Sequence, residues 1–462
     1  MSIRTILYSI IIVVVLTITV LLYLSLNKSG NNKDNANACL NCNVIIIGID
    51  ALRADHLGAY GYNRPTSPQI DKLAKQGIIS MRNYSQSTTT APSFMSLFTS
   101  LYPTDHGILF TFPHHYKHPF MKINSSIVTL PQILQENGYN TAAFVSSVAL
   151  PQEIGFGIGF NQFTVDSTLN QRKNLLNWID DKKNDKFFIF YHDMTVHDPY
   201  LPSEKYKKMF AQTKKEFPSF TDENPTKGLE AEMLRTVDRH NEEDVKYLID
   251  LYDAGIRDID EFINSLLIKL DNNGILDNTI IIFTSDHGEE FMDHGALQHL
   301  QFYNEILHVP LIIYFPSLKH TVIEQNTRTV DIFPTTLELL EIRNNTKIRG
   351  TSLLPIIIGS SQERPVISIM GSDKSIVWKE YKYINQLSSQ NDLSKPITNE
   401  LYDLKKDPFE KNNVLNTTPE LKKKLTELYE KEVQPEGYYK ETSPIILENE
   451  NETIEKLKNL GY

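Results

Sequence analysis

Apolar and polar positions alternate in blocks along this chain, and the blocks read as strands separated by helices. Val44 to Ile49 is a continuous apolar run that ends at Asp50, the pattern of a strand buried on both faces. Phe187–Tyr191, Thr279–Phe283 and Leu311–Phe315 repeat it, and Thr141–Val145 is a shorter version. Between them lie helix signals. Ser67 is placed to cap a helix that opens at Pro68 and stops before Gly77. The same grammar recurs from Thr129 to Gly138, and a long helical pattern runs from about Asp244 to Leu270. Strands alternating with helices predict an α/β fold: a mostly parallel central sheet with helices on both faces. After about Asn345 the blocks shorten. Val366–Ile369, Ile376–Trp378 and Lys382–Ile384 read as small antiparallel strands. Thr418-Pro419 then opens a helix whose Leu421, Leu425 and Leu428 share a face. This predicts a small C-terminal α+β subdomain.

The first apolar block is of another kind. Ile6 to Leu26 is uncharged and long enough to span a hydrocarbon core of about 30 Å. It exceeds the roughly 7–15 residues of a signal-peptide core, so it reads as a transmembrane anchor; cleavage near Ala36-Asn37-Ala38 is the alternative. The expected organisation is a tail at 1–5, an anchor at 6–26, a linker at 27–42, a catalytic domain at 43–345, a C-terminal subdomain at 346–433 and a tail at 434–462. A single-pass membrane protein with its catalytic domain outside the cytoplasm follows. Composition changes this picture only by exclusion. A net charge of -11 with no basic stripe argues against nucleic acid as a partner. Hydrophobic residues at 40% argue against disorder. Cys39 and Cys42 are too few for a zinc site of their own and read as a small surface disulfide or two idle thiols.

Chemistry-bearing residues gather at the strand ends. Asp50 follows the first strand, His192 and His197 the Phe187 strand, and Asp286-His287 the Thr279 strand. In a parallel sheet these ends line one crevice. Asp50, Asp286 and His287 then make a mixed oxygen and nitrogen metal site, suited to zinc or manganese rather than calcium. Thr90 lies in Thr88-Thr89-Thr90-Ala91-Pro92-Ser93, just before an apolar helix over Phe94 to Leu101. A hydroxyl at a helix N-terminus meets orphan amides and the positive dipole end; it is either a helix cap or an activated nucleophile.

The ordered motifs resemble the sulfatase family of the alkaline phosphatase superfamily. Ile49-Asp50-Ala51-Leu52-Arg53-Ala54-Asp55 through Gly61 is similar to the family's opening motif. Thr284-Ser285-Asp286-His287-Gly288-Glu289-Glu290 resembles its second metal motif, and Glu400-Leu401-Tyr402-Asp403-Leu404 with Asp407-Pro408 resembles its C-terminal signature. The resemblance implies Asp50, Asp286 and His287 as metal ligands, Thr90 in the nucleophile's place, and His197 as a contact to the ester. It also implies a substrate role for His299, which stands where sulfatases carry a lysine and phosphoethanolamine or glycerophosphate transferases carry a histidine. Glu289 and Asp293 are candidates to orient the metal histidine. His294 could touch substrate or pack. Asp55 and His56 read as fixing the turn after the first strand, and His106 as structural. His114, His115 and His118 read as a loop cluster at the surface or the crevice rim.

Departures from the pattern narrow the chemistry. Sulfatases oxidise a cysteine or serine to formylglycine in a Cys-x-Pro-x-Arg pattern; here the residues are Thr90-Ala91-Pro92-Ser93-Phe94. Threonine carries a methyl on its β-carbon and cannot give that aldehyde, so no formylglycine is expected. The usual pair of adjacent aspartates is Asp50-Ala51, one ligand short. The expected function is a metal-dependent hydrolase or transferase of phosphate or sulfate esters, with Thr90 as nucleophile. A glycan, a lipid headgroup or a small molecule would carry the ester. A sulfatase working without formylglycine and a catalytically silent binding protein are the alternatives.

Overall fold

The computed structural model describes residues 39, 41–111, 120–211, 237–316, 318–360, 363–386, 398–433 and 443–445. Its centre is an eight-stranded sheet. In chain order the strands are β1 (Asn43–Ile49), β2 (Ile78–Tyr84), β3 (Asn140–Val145), β4 (Gln162–Val165), β5 (Phe187–Asp193), β6 (Thr279–Ser285), β7 (Leu311–Tyr314) and β8 (Thr321–Arg328). They lie side by side as β8-β2-β7-β6-β1-β5-β3-β4. All described strands of this sheet run the same way except β7, which is antiparallel to both β6 and β2. The expected mostly parallel α/β sheet is therefore present.

β1 shows why the apolar blocks are continuous. Val44 and Ile46 point to one face, where they join helices α2 (Thr90–Thr99), α3 (Leu130–Glu136) and α6 (Ile332–Leu339) in a buried cluster. Ile45, Ile47 and Ile49 point to the other, against α1 (Pro68–Gln76), α4 (Thr168–Lys182) and α5 (Glu242–Asn272). Side chains alternate across a strand, so a strand covered twice must be apolar at every position.

Two local expectations need correcting. Ser67 does sit at the N-cap of α1, but its hydroxyl donates to Asp71 and accepts from Gly58 N instead of capping. The open amides of Gln69 and Ile70 are taken by Asp260 of α5, at 2.7 and 2.9 Å, so the cap comes from another element. The helix around Thr90 begins at Thr90 itself rather than at Phe94, with Thr89 at the N-cap and Pro92 in the first turn.

The C-terminal segment forms a four-stranded antiparallel sheet, β9 (Val366–Met370), β10 (Asp373–Trp378), β11 (Tyr381–Gln386) and β12 (Thr398–Asp403), followed by α7 (Pro419–Val433). One face, with Val366, Val377 and Ile384, packs on Tyr84, Phe302 and Leu307. The other, with Ile367, Ile376 and Leu401, packs on Leu425 of α7. Cys39 and Cys42 form a disulfide with Cα atoms 5.5 Å apart. They are buried, not on the surface, with Cys42 fully enclosed in the main core.

The expected single-pass membrane location is overturned: no helix among the described residues is long and apolar enough to cross a membrane. The run Ile6–Leu26 that carried it lies outside the described residues, as do His114, His115 and His118. The 434–462 tail is also outside them, except Ser443–Ile445, which pairs with Phe120–Lys122.

Candidate active site

Strand register assembles the site. Ile49 of β1 is level with Asp193 of β5 and Ser285 of β6, so Asp50 and Asp286 leave neighbouring strands at the same height. The turn after β1 is held tightly. Tyr252 of α5 donates to the Ala51 carbonyl at 2.7 Å and accepts from Arg53 N at 2.8 Å. Ala51 N donates to Asp286 Oδ1 at 3.2 Å, and Ala51 takes φ 60°, a left-handed conformation that alanine seldom adopts. Ser285 Oγ accepts from Leu52 N and donates to the His287 carbonyl at 2.6 Å, which closes the turn on the β6 side.

Asp50, Asp286 and His287 are buried together, each offering an atom within 4.8 Å of the others. His287 Nε2 lies 3.3 Å from Asp286 Oδ2 and 3.6 Å from Asp50 Oδ1. Its Nδ1 donates to the Gly288 carbonyl at 2.9 Å, which leaves Nε2 to act as a ligand. Among the described residues neither oxygen of Asp50 accepts a hydrogen bond, and neither does Asp286 Oδ2. Buried carboxylate oxygens left without donors are costly unless a cation meets them. The residues present therefore fit a divalent ion.

Electrostatics agree with that fit. Burial and the Asp50 charge push Asp286 up to about 6. Burial acts the same way on Asp50, but His197, His192 and His287 outweigh it and hold that carboxyl below the usual range.

Thr90 is at the open end of α2, where its Oγ1 stands 3.4 Å from His287 Nε2. The next amide, Ala91 N, donates to Thr111 Oγ1 at 2.9 Å. His299 lies beyond, its ring centroid 4.0 Å from that of His287 and 5.4 Å from that of His197. The two outer histidines are driven apart. Burial alone would lower His197, but Asp198, 2.6 Å from Nδ1, and Asp50 raise it well above the ordinary histidine value. His299 is pushed well below by burial and by the charges of His287 and His197. Asp50, Thr90, His197, Asp286, His287 and His299 thus lie in one cluster.

Other candidates fall elsewhere. Asp293 pairs with Arg53 at 2.9 Å, and Glu289 meets the Tyr200 hydroxyl, so neither orients His287. His294 stacks on Tyr303 at 3.5 Å and pairs with Glu305, a packing role. His56 bonds Asp253, and His106 bonds Ser96. His192 is inside β5 rather than after it. Its contact with Asp50, Nε2 to Oδ2 at 3.2 Å, was not read from the sequence; the strand register was the signal that could have found it.

An α/β sheet carrying buried carboxylates and a histidine that could hold a metal at its strand ends, beside a hydroxyl on a helix N-terminus, defines the class of protein. Similarity to known proteins gives the family. A family model described as Sulfatase matches residues 42–169 and 164–342, and one described as N-sulphoglucosamine sulphohydrolase, C-terminal, matches residues 292–435. The chain belongs to the sulfatase family. It is 29% identical over 196 residues to arylsulfatase K of Xenopus laevis, a match over 39% of this chain and 36% of that protein, so it spans about a third of that relative's length. It is 23% identical over 522 residues to an N-acetylglucosamine-6-O-sulfatase of Bacteroides thetaiotaomicron, covering 89% and 88% of the two chains. A protein solved in complex with its substrate D-glucosamine-2-N,6-O-disulfate shares the fold at TM-score 0.69 and 20% identity, over 86% of this chain and 99% of the other. A phosphonate monoester hydrolase of Agrobacterium radiobacter shares it at TM-score 0.67 and 19% identity, over 88% and 100%.

Proposed function

We propose that this chain hydrolyses or transfers a sulfate or phosphate ester, with Asp50, Asp286 and His287 holding a zinc or manganese ion and Thr90 as nucleophile. The observation that carries the reading is the 3.4 Å separation between Thr90 Oγ1 and His287 Nε2 at a helix N-terminus. A bound divalent ion would lower the hydroxyl pKa and offset charge on the ester oxygens. Thr90 Oγ1 attacks the sulfur or phosphorus, the bond to the ester oxygen breaks, and the alcohol leaves with the proton that Thr90 gave up. Water, or an acceptor alcohol in a transferase, then takes the group from Thr90 and restores the hydroxyl. His197 and His299, whose rings lie beside each other and beside His287, would bind the oxygens of the anion.

The Bacteroides relatives, named as N-acetylglucosamine- and N-acetylgalactosamine-6-O-sulfatases, favour a glycan. Threonine at position 90 favours chemistry without formylglycine, which either sulfur or phosphorus permits. The purified chain from Asn43 onward should turn over an aryl sulfate or an aryl phosphate monoester or diester, and the preferred one identifies the ester. Thr90→Ala should lower that turnover by about a thousandfold or more, as loss of a nucleophile does. Unchanged turnover in Thr90→Ala would remove the nucleophile assignment. No turnover of any ester by protein with metal bound would leave the fold as a binding protein.

A further inference from the structure

We infer that His192 is a positioning residue of the metal centre: its imidazole holds Asp50 Oδ2 so that Oδ1 is turned to the ion. The inference rests on the metal-binding reading above and goes beyond it to a residue that the ligand set does not include.

The two oxygens of Asp50 face different neighbours. Oδ1 lies 3.6 Å from His287 Nε2, on the side of the ligand cluster. Oδ2 lies 3.2 Å from His192 Nε2, and both side chains are fully buried. The gap is within reach of a hydrogen bond, although the ring is not aligned for one: both nitrogens of His192 and both oxygens of Asp50 are without hydrogen-bond partners. Of the described groups that flank Asp50, His192 is the one that faces Oδ2, and neither side chain has another hydrogen-bond partner among the described residues.

The walls around His192 leave it nothing else to serve. In β5, side chains alternate, so His192 shares its face with Phe188 and Phe190. Its ring meets the edge of Phe94 at 5.2 Å and 86°, and lies beside Phe190 at 6.4 Å and 25°. Register sets it level with Gly48, two residues before Asp50. A histidine buried among phenylalanines with both nitrogens idle is expensive unless its polar edge has a task. Asp50 is the charged group at that edge.

His192 is not a fourth ligand. Among the described residues the atoms that lie within 4.8 Å of one another come from Asp50, Asp286 and His287 alone. A donor behind a ligating carboxylate fixes which lone pair reaches the ion, and removing such a donor usually weakens metal binding about 10- to 100-fold. The need is greater here because residue 51 is alanine. Asp50 has no neighbouring carboxylate to share the position, so its own orientation decides the geometry on that side.

Zinc and manganese titrations of EDTA-stripped protein test this, using wild type, His192→Phe and His192→Gln, with unfolding midpoints of the stripped forms measured alongside. Phenylalanine keeps the bulk and removes the donor; glutamine keeps a donor. His192→Phe should bind either ion about 10- to 100-fold more weakly. Its stripped form should melt with wild type, and His192→Gln should stay within about threefold of wild-type affinity. Should the phenylalanine variant not fold, His192→Leu makes the same comparison. Metal affinity in His192→Phe equal to wild type would overturn the inference and leave the metal site standing. A fall in His192→Gln as deep as in His192→Phe would also overturn it, by making His192 a direct ligand. No uptake by wild type would instead remove the metal reading itself, and this role with it.

Discussion

Replacing Asp286 with asparagine should make the metal-stripped protein more stable above pH 6, and should abolish the stabilisation that metal gives. Asp286 is 2% exposed, its Oδ2 has no donor, and Asp50 stands beside it. Burial and that neighbouring charge raise its carboxyl from 3.8 to about 6. At about 1.4 kcal/mol per pH unit, the ionised carboxyl opposes folding by about 3 kcal/mol. Coulomb's law gives a similar scale: two unit charges within 4.8 Å of each other repel by about 3 kcal/mol or more at an effective dielectric constant of about 20. The folded pKa lies above the unfolded one, so the native state holds the proton more tightly. Its stabilisation is complete below about pH 4 and is lost as pH rises through about 6. Asparagine imitates the protonated form at every pH, and its amide can face His287 Nε2, which lies 3.3 Å from Oδ2. Denaturant unfolding in EDTA at pH 5 and pH 7.5 measures the difference. Wild type should fall behind Asp286→Asn by about 1.4 kcal/mol between the two, the rest of the loss being complete by pH 5. Zinc or manganese at about a hundred times its dissociation constant should then raise wild type by about 3 kcal/mol and leave the variant unmoved. A variant no more stable than wild type at pH 7.5 in EDTA would refute the claim that the two carboxylates conflict. A variant stabilised by metal as much as wild type would refute the assignment of Asp286 as a ligand.

Two further outcomes follow from packing. A Cβ at Gly48 would meet Phe94 Cε1 at 2.6 Å and Phe190 Cε2 at 3.3 Å, so Gly48→Ala should cost about 1–3 kcal/mol, and Phe94→Leu in the same chain should recover part of it; unfolding midpoints in a double-mutant cycle give the answer, and strict additivity would mean that the clash is not the cause. Asp260→Ala should cost about 1–2 kcal/mol by uncapping α1, and Ser67→Ala less, because the Ser67 hydroxyl does not cap; equal losses in thermal unfolding would show that the cap lies with the serine.

The parts of the fold legible in the sequence are those where one physical demand dominates. β1, β5 and β6 are covered on both faces, which forces unbroken apolar runs, and α5 is long enough for its 3.6-residue period to stand out. The grouping of Asp50, Asp286 and His287 was legible for a related reason, since parallel register brings successive strand ends to one level. Other elements carry mixed demands. β2 follows α1 after Gly77 alone, beginning Ile78-Ile79 and then passing through Arg82 and Asn83, so no alternation marks it. β8 is at the edge of the sheet and shows water several of its residues. The start of α2 is set from outside: three β-branched threonines are poor helix formers, and contacts such as Ala91 N to Thr111 Oγ1 draw the helix back to Thr90. The cap on α1 was misassigned because its carboxylate comes from residue 260, nearly two hundred positions away.

Ala51, Phe94 and His192 show how a site can keep its geometry while its composition changes. Ala51 holds a left-handed conformation at φ 60°, which aspartate tolerates better than alanine does. The turn persists because its amide still binds Asp286 and its carbonyl still binds Tyr252. The turn thus has a shape suited to a carboxylate at 51, although the residue there is alanine. Phe94 stands where the family pattern has an arginine, and its ring fills the space between Gly48, Phe190 and His192. An apolar wall there turns the polar edge of His192 toward Asp50, the carboxylate left on that side of the cluster. Ala51 and Phe94 act in the same direction: the first offers no charge beside Asp50, and the second leaves His192 as the polar group facing its Oδ2.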